Sequence, residues 1–163
     1  LFWDRLEHAL ARVGRTGERL AVLFLDLDGF KRINDTHGHA AGDEVLRRLA
    51  ARLSEVVRAQ DTLARLGGDE FGVLLESLSA RAEALDVARR VVEEPSTRVE
   101  VDGRATELAL SCGVAFADGA GDDGEDLTAV ADDVVRRADR AMYAAKGEAG
   151  SAFRAEDVPP PGP

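Results

Sequence analysis

Thr62-Leu-Ala-Arg-Leu-Gly-Gly-Asp-Glu-Phe-Gly-Val-Leu-Leu75 reads as two short apolar runs, Thr62–Leu66 and Phe71–Leu75, around Gly67-Gly68-Asp69-Glu70. A glycine-bearing four-residue connection between such runs predicts a β-hairpin. Upstream, Leu20-Ala-Val-Leu-Phe-Leu25 is a continuous apolar run and predicts a strand buried on both faces. It runs straight into Asp26-Leu27-Asp28-Gly29, as the hairpin runs into Asp69-Glu70. Carboxylates at the margin of a core cost several kcal/mol, on the order expected for buried ions, unless something pairs with them.

Helices fill the intervals between these strands. Phe2, Trp3, Leu6, Ala9, Leu10 and Val13 recur at helical spacing, with Gly14 and Gly17 as stops. The segments 41–57, 79–92 and 127–145 carry the same periodicity, the second closed by Pro95. Arg98–Val101 and Glu107–Ala115 read as strands joined by a turn at Asp102-Gly103, and residues 118–126 as an acidic, glycine-rich loop. Helices alternating with hairpin strands predict an α+β fold: a central, mostly antiparallel sheet flanked by helices. The tail Val158-Pro-Pro-Pro-Gly-Pro163 reads as a linker or cut end.

Composition narrows the function classes. The chain has 163 residues and a formal charge of −10, which argues against general nucleic-acid binding. The acidic excess is uneven: residues 1–60 hold ten basic and nine acidic residues, 61–110 six and eleven, and 111–163 five and eleven. No apolar run reaches the ~20 residues of a membrane span. The lone Cys112 forms no internal disulfide and reads as an inert core thiol. Only two of the 21 basic residues are lysines, Lys31 and Lys146.

Oxygen-only ligands such as Asp26 and Asp69 favour a hard cation like Mg²⁺, completed by substrate phosphates. The bland alternative is a pair of turn-forming aspartates. Asp28-Gly29-Phe30-Lys31 offers backbone N–H groups and a lysine as a phosphate cradle, although GxxxxGK[ST] and GxGxxG are both absent.

Gly67-Gly68-Asp69-Glu70-Phe71 resembles the signature of the GGDEF family, the diguanylate cyclases, and the remaining motifs agree in order. Leu25-Asp-Leu-Asp-Gly-Phe-Lys31, Ile33-Asn-Asp-Thr-His-Gly-His-Ala-Ala-Gly-Asp43, Ser111-Cys-Gly-Val-Ala115 and Ala138-Asp-Arg-Ala-Met-Tyr-Ala-Ala-Lys146 are each similar to a family block. The resemblance covers about residues 1–155, with 156–163 as tail. It implies a five-stranded, adenylyl-cyclase- or polymerase-palm-like sheet with a ferredoxin-like core. It also implies a cytoplasmic enzyme that condenses two GTP into cyclic di-GMP across a transient homodimer, releasing two pyrophosphates.

By motif match, Asp26, the Leu27 carbonyl and Asp69 hold Mg²⁺ or Mn²⁺, two ions per active site. Asp69 accepts the 3′-OH proton, and Glu70 supports the metal or base site. Lys31 stabilises charge on the transferring phosphate, and Lys146 reaches the triphosphate. Asn34 and Asp43 read guanine, while Phe30 and His39 line the nucleotide pocket. Arg58-Ala-Gln-Asp61 matches the family's inhibitory RxxD site for product, with Arg89 or Arg90 as a second arginine.

Plainer readings stand beside these. Asp43 could cap the helix at 41–57, Lys146 could serve a helix dipole, and Phe30, Phe71 and Met142 could simply be core. His37 and His39 lack a third ligand for a metal pair. The RxxD could be an i,i+3 ion pair. Two departures from the family pattern appear. The chain begins after the usual DxLTGLxNR segment, which reads as trimming from a longer protein. Gly147-Glu-Ala-Gly-Ser151 replaces xxGRN, so an arginine contact to phosphate is missing. The competing function is a non-catalytic module that binds cyclic di-GMP or GTP to regulate a neighbouring domain.

Overall fold

The computed structural model describes residues 1–93, 98–101, 103–118, 126–146 and 152–156. Pro95, Asp102, most of the acidic loop, the run 147–151 and the Pro-rich tail lie outside these residues. The element order is α1 (Phe2–Thr16), β1 (Arg19–Asp28), α2 (Phe30–His37), α3 (His39–Val56), β2 (Thr62–Gly67), β3 (Glu70–Leu78) and α4 (Arg81–Val92), then β4 (Arg98–Val101), β5 (Arg104–Glu107), β6 (Ala109–Asp118), α5 (Leu127–Ala145) and β7 (Ala152–Ala155). The main sheet has the order β2-β3-β1-β6-β7. All its pairings are antiparallel except β6 with β7, so the expected α+β architecture with a mostly antiparallel five-stranded sheet is what forms.

β1 is the central strand, and its continuous apolar run follows from burial on both faces. Ala21, Leu23, Leu25 and Leu27 join one core with α3 and α4. Leu20, Val22 and Phe24 join a second core with α1 and α5. Strand side chains alternate between faces, so Asp26 and Asp28 continue the Leu20-Val22-Phe24 row toward the α5 side. β3 repeats the pattern: Phe71, Val73 and Leu75 face α3 and α4, which assigns Glu70 to the face of Leu74.

Gly113 of β6 lies under α5. A Cβ there would sit 1.9 Å from the Ala138 carbonyl oxygen and 2.2 Å from the Met142 nitrogen, so helix and strand backbones meet directly.

Four local expectations change. α1 runs on through Gly14 to Thr16 and stops only at the left-handed Gly17. β4 pairs with β5 (104–107) in a separate two-stranded sheet, not with the strand read at 107–115, which instead forms β6 in the main sheet. The chain parts company with that hairpin at the buried Leu108. α3 begins at His39 after Gly38, whose φ of 83° stops α2, so Asp43 lies inside the helix and is not its cap. Finally, β7 was not read from sequence. It is held by Glu156, whose carboxylate accepts from the Phe116 N–H at 2.7 Å and pairs with Arg137.

Candidate active site at the carboxyl end of the central strand

Register brings the acidic motifs together. Asp26 is opposite Glu70 in the β1–β3 pair and opposite Ser111 in the β1–β6 pair. Gly67 pairs with Glu70, leaving Gly68 and Asp69 as the tip of the hairpin. Gly68 has φ 51°, a left-handed conformation that glycine adopts without steric cost at a tight hairpin. The Leu27 N–H donates to the Asp69 main-chain carbonyl at 3.4 Å, which fastens the hairpin tip to the end of β1.

α5 closes this face with Lys146 at its C-cap. The Lys146 ammonium donates to Asp26 Oδ1 at 2.8 Å. Desolvation opposes the charge on Lys146, but the Asp26 hydrogen bond and the charges of Asp26, Asp28 and Asp69 outweigh it and raise its pKa. Lys146 therefore does more than complement the helix dipole. Asp28 accepts from the Ser111 hydroxyl at 2.8 Å. Burial raises the Asp28 pKa in spite of that hydrogen bond, and Asp26 and Asp69 push it the same way. Burial also raises the Glu70 pKa, reinforced by the negative charges of Asp26, Asp139 and Asp69.

Oxygen donors in excess of their counter-charge suit a hard dication. Among the described residues no three His, Cys, Asp or Glu side chains are gathered tightly enough to complete a metal site alone. A cation here would share its shell with substrate oxygens.

The nucleotide-facing candidates lie on the two helices that follow β1. Gly29, with φ 75°, turns the chain into α2, whose first residues Phe30 and Lys31 carry the cradle motif. Lys31, His39 and Asp43 are exposed. Phe30 packs at the margin of the α3–α4 core. Asn34 and Phe30 both press on Gly42, where a Cβ would lie 1.9 Å from Asn34 Oδ1 and 3.1 Å from Phe30 Cζ. That close approach sets the Asn34 amide beside the residue preceding Asp43.

A cleft of about 560 Å³ opens between α3 and the hairpin, lined by Asp43, Leu46, Ala50, Leu63, Arg65 and Phe71 among others. Its size suits a nucleotide-sized ligand. Phe71 itself is 2% exposed and belongs to the core as well as the cleft wall.

Three contributors were not assigned a role from sequence. Arg65 donates from Nε to the Gly68 carbonyl at 2.8 Å and braces the hairpin tip. Ser111 orients Asp28, and Asp139 adds negative charge near Glu70. Each stood where a sequence signal could be followed: Arg65 two residues before Gly67, and Ser111 and Asp139 inside the blocks 111–115 and 138–146.

The RxxD motif is not an i,i+3 ion pair. Asp61 Oδ2 accepts from the Arg58 backbone N–H at 2.9 Å, while the Arg58 guanidinium donates to Glu83 Oε2 of α4 at 3.2 Å. Arg89 pairs with Asp86 at 2.9 Å on the same helix. Cys112 is fully buried, and burial pushes its thiol pKa up, as expected of an inert core thiol. No helix among the described residues is long and apolar enough to cross a membrane.

Known proteins share this fold. The family model for "Diguanylate cyclase, GGDEF domain" matches residues 1–151. Diguanylate cyclase TpbB of Pseudomonas aeruginosa is 39% identical over 98% of this chain and 35% of its own length. MucR of the same species, a bifunctional diguanylate cyclase and cyclic di-GMP phosphodiesterase, is 40% identical over 92% of this chain and 21% of its own length. The chain thus spans roughly a third or less of these relatives. The crystal structure of the TpbB GGDEF domain superposes with TM-score 0.83, covering 97% of this chain and 94% of that one. The DgcB GGDEF domain of Caulobacter crescentus, solved in complex with c-di-GMP, is 30% identical with TM-score 0.79, covering 94% of this chain and 87% of that one.

Proposed function

Because the chain belongs to the diguanylate cyclase GGDEF-domain family, we propose that it condenses two GTP molecules into cyclic di-GMP. The observation that carries this reading is the convergence of Asp26, Asp69, Glu70 and Lys146 at the end of β1; the nucleotide-sized cleft is lined instead by Asp43 of α3 and Arg65 of the hairpin. In each half-reaction the 3′-OH of one GTP attacks the α-phosphorus of the other. A new P–O bond forms, the bond to pyrophosphate breaks, and the hydroxyl proton passes to Asp69. Repetition in the opposite sense closes the ring and releases the second pyrophosphate.

Asp26, the Leu27 carbonyl and Asp69 are the residues that would hold Mg²⁺ or Mn²⁺, two ions per site. A dication bound there supplies charge neutralisation at the attacking and leaving oxygens. Glu70 supports the ligand set from the opposite strand, and Lys31, at the start of α2, contributes positive charge to the transferring phosphate. The domain is proposed to run to residue 155, four residues past the family match, so that it takes in β7.

Asn34 and Asp43 read guanine, with Phe30 and His39 beside the nucleotide. Amide and carboxylate match the O6 acceptor and the N1–H and N2–H donors, whereas adenine would leave these groups unpaired. Asp43→Ala is expected to raise the KM for GTP by about 10–100-fold, the range for losing a charged hydrogen bond. Its kcat should change far less. Steady-state kinetics with GTP decide this, and an unchanged KM removes the assignment.

Cyclic di-GMP is also proposed as a feedback ligand at Arg58, Asp61 and Arg89. The Arg58–Glu83 pair is exposed, and solvent-screened pairs of this kind contribute little, so Arg58 can exchange Glu83 for a guanine or phosphate of the product. Calorimetry should show at least tenfold weaker cyclic di-GMP binding by Arg58→Ala. Undiminished binding would dismiss this site.

The proposal makes catalysis depend on two chains meeting face to face. Incubation with GTP and Mg²⁺ should therefore give cyclic di-GMP at a rate per chain that rises with protein concentration. A concentration-independent rate, or a product other than cyclic di-GMP, would refute the reading.

A further inference from the structure

Lys146 occupies the carboxylate oxygen that a metal ion would need. Its ammonium is 2.8 Å from Asp26 Oδ1, with the two side chains only 34% and 12% exposed. Asp28 and Asp69 attract the same ammonium, and the chain offers them no other lysine but Lys31. An ammonium is a compact cation with three donors, so it can stand in for a hard ion in an oxygen-only site. It also relieves the penalty of holding Asp26 at the edge of the core without a partner.

The residue type bears on how firmly this pair is held. The chain uses arginine for 19 of its 21 basic residues, yet lysine stands here. A guanidinium would grip Asp26 through a planar, bidentate fork, whereas an ammonium on a flexible stem makes a point contact that it can exchange. A displaced ammonium at this helix end would face carboxylates and the negative pole of α5. A triphosphate is the anion that would satisfy it.

Resting on the reading of Asp26 as a metal ligand, we propose that Lys146 is the resident counter-ion of this site and couples metal entry to nucleotide binding. Without nucleotide, Lys146 holds Asp26 and competes with the dication. With nucleotide, Lys146 transfers to phosphate and releases Asp26 to the metal. Linkage then makes each ligand strengthen the other by the same factor.

The test measures Mn²⁺ binding by electron paramagnetic resonance and calorimetry, with and without a GTP analogue whose α,β-bridging oxygen is a methylene. The wild-type chain should bind Mn²⁺ at least tenfold more tightly with the analogue than without it. Lys146→Met should bind Mn²⁺ at least fivefold more tightly than wild type in the absence of nucleotide, with the analogue's enhancement reduced to threefold or less. Lys146→Arg, which keeps the pair, should bind free Mn²⁺ no more tightly than wild type. Lys146→Gln provides the same comparison if the methionine variant fails to fold.

Equal or weaker Mn²⁺ binding by the neutral variants overturns the coupling while leaving Asp26 as a ligand. Asp26→Asn separates the two claims. Mn²⁺ binding that survives this substitution, with and without the analogue, removes Asp26 from the metal site and overturns both.

Discussion

Gly113→Ala is expected to lower the melting temperature by roughly 10 °C, the change that about 3 kcal/mol produces in a domain of this size. The new methyl would collide with the backbone of α5 at Ala138, Ala141 and Met142, with its nearest approach 1.9 Å. Backbone cannot rotate away as a side-chain tip can, so the helix must lift from the sheet. Overpacking typically costs about 1–3 kcal/mol and exceeds that where nothing yields.

The effect should reach the acidic site as well. α5 contributes Ala131, Val134, Ala138 and Met142 to the core beneath it and carries Lys146 at its end. Thermal unfolding followed by circular dichroism checks the stability claim. An alanine variant that melts within about 2 °C of wild type, under 1 kcal/mol for this size, would show that α5 and β6 are not in direct backbone contact.

Asp69→Ala should have the opposite profile, a loss of at least about 10³-fold in cyclic di-GMP formation with little change in stability. The Asp69 side chain is removed as proton acceptor and metal ligand together. Its structural tie to β1 runs through the main-chain carbonyl that accepts from Leu27, and this contact survives in the variant. Removing Asp69 also relieves the crowding of negative charge that helps raise the Glu70 pKa. That relief offsets the loss of its attraction to the Lys146 ammonium, so the net electrostatic change in the fold is small. Initial rates by chromatography, beside a melting curve, test both halves. A variant that keeps a tenth of the wild-type rate would remove Asp69 from the chemistry.

How far the sequence could be read follows from the range of the forces involved. β1 and the β2–β3 hairpin were legible because an apolar run and a short turn are local signals. Their terminal carboxylates were visible as interruptions of those runs. The two-sided burial of β1 followed from its unbroken hydrophobicity, and the face taken by Asp26 follows from strand alternation.

The missed features depend on distant partners. β7 has only four residues, and Glu156 secures it through Arg137 of α5 and the Phe116 N–H. No pattern within residues 152–155 encodes that support. The departure of the chain from the β4–β5 hairpin at Leu108 was equally hidden, because two adjoining short strands look like one longer strand in sequence. Both lysines stand out as rare among the basic residues, but the Lys146–Asp26 contact is a tertiary event that spacing does not specify.

The most direct test of the central claim is to join two copies of the wild-type chain in a forced dimer and supply GTP with Mg²⁺. Products are then counted by liquid chromatography and mass spectrometry. The account predicts one cyclic di-GMP and two pyrophosphates for every two GTP consumed. GTP left unchanged by the forced dimer, or converted only to GDP and phosphate, would contradict it.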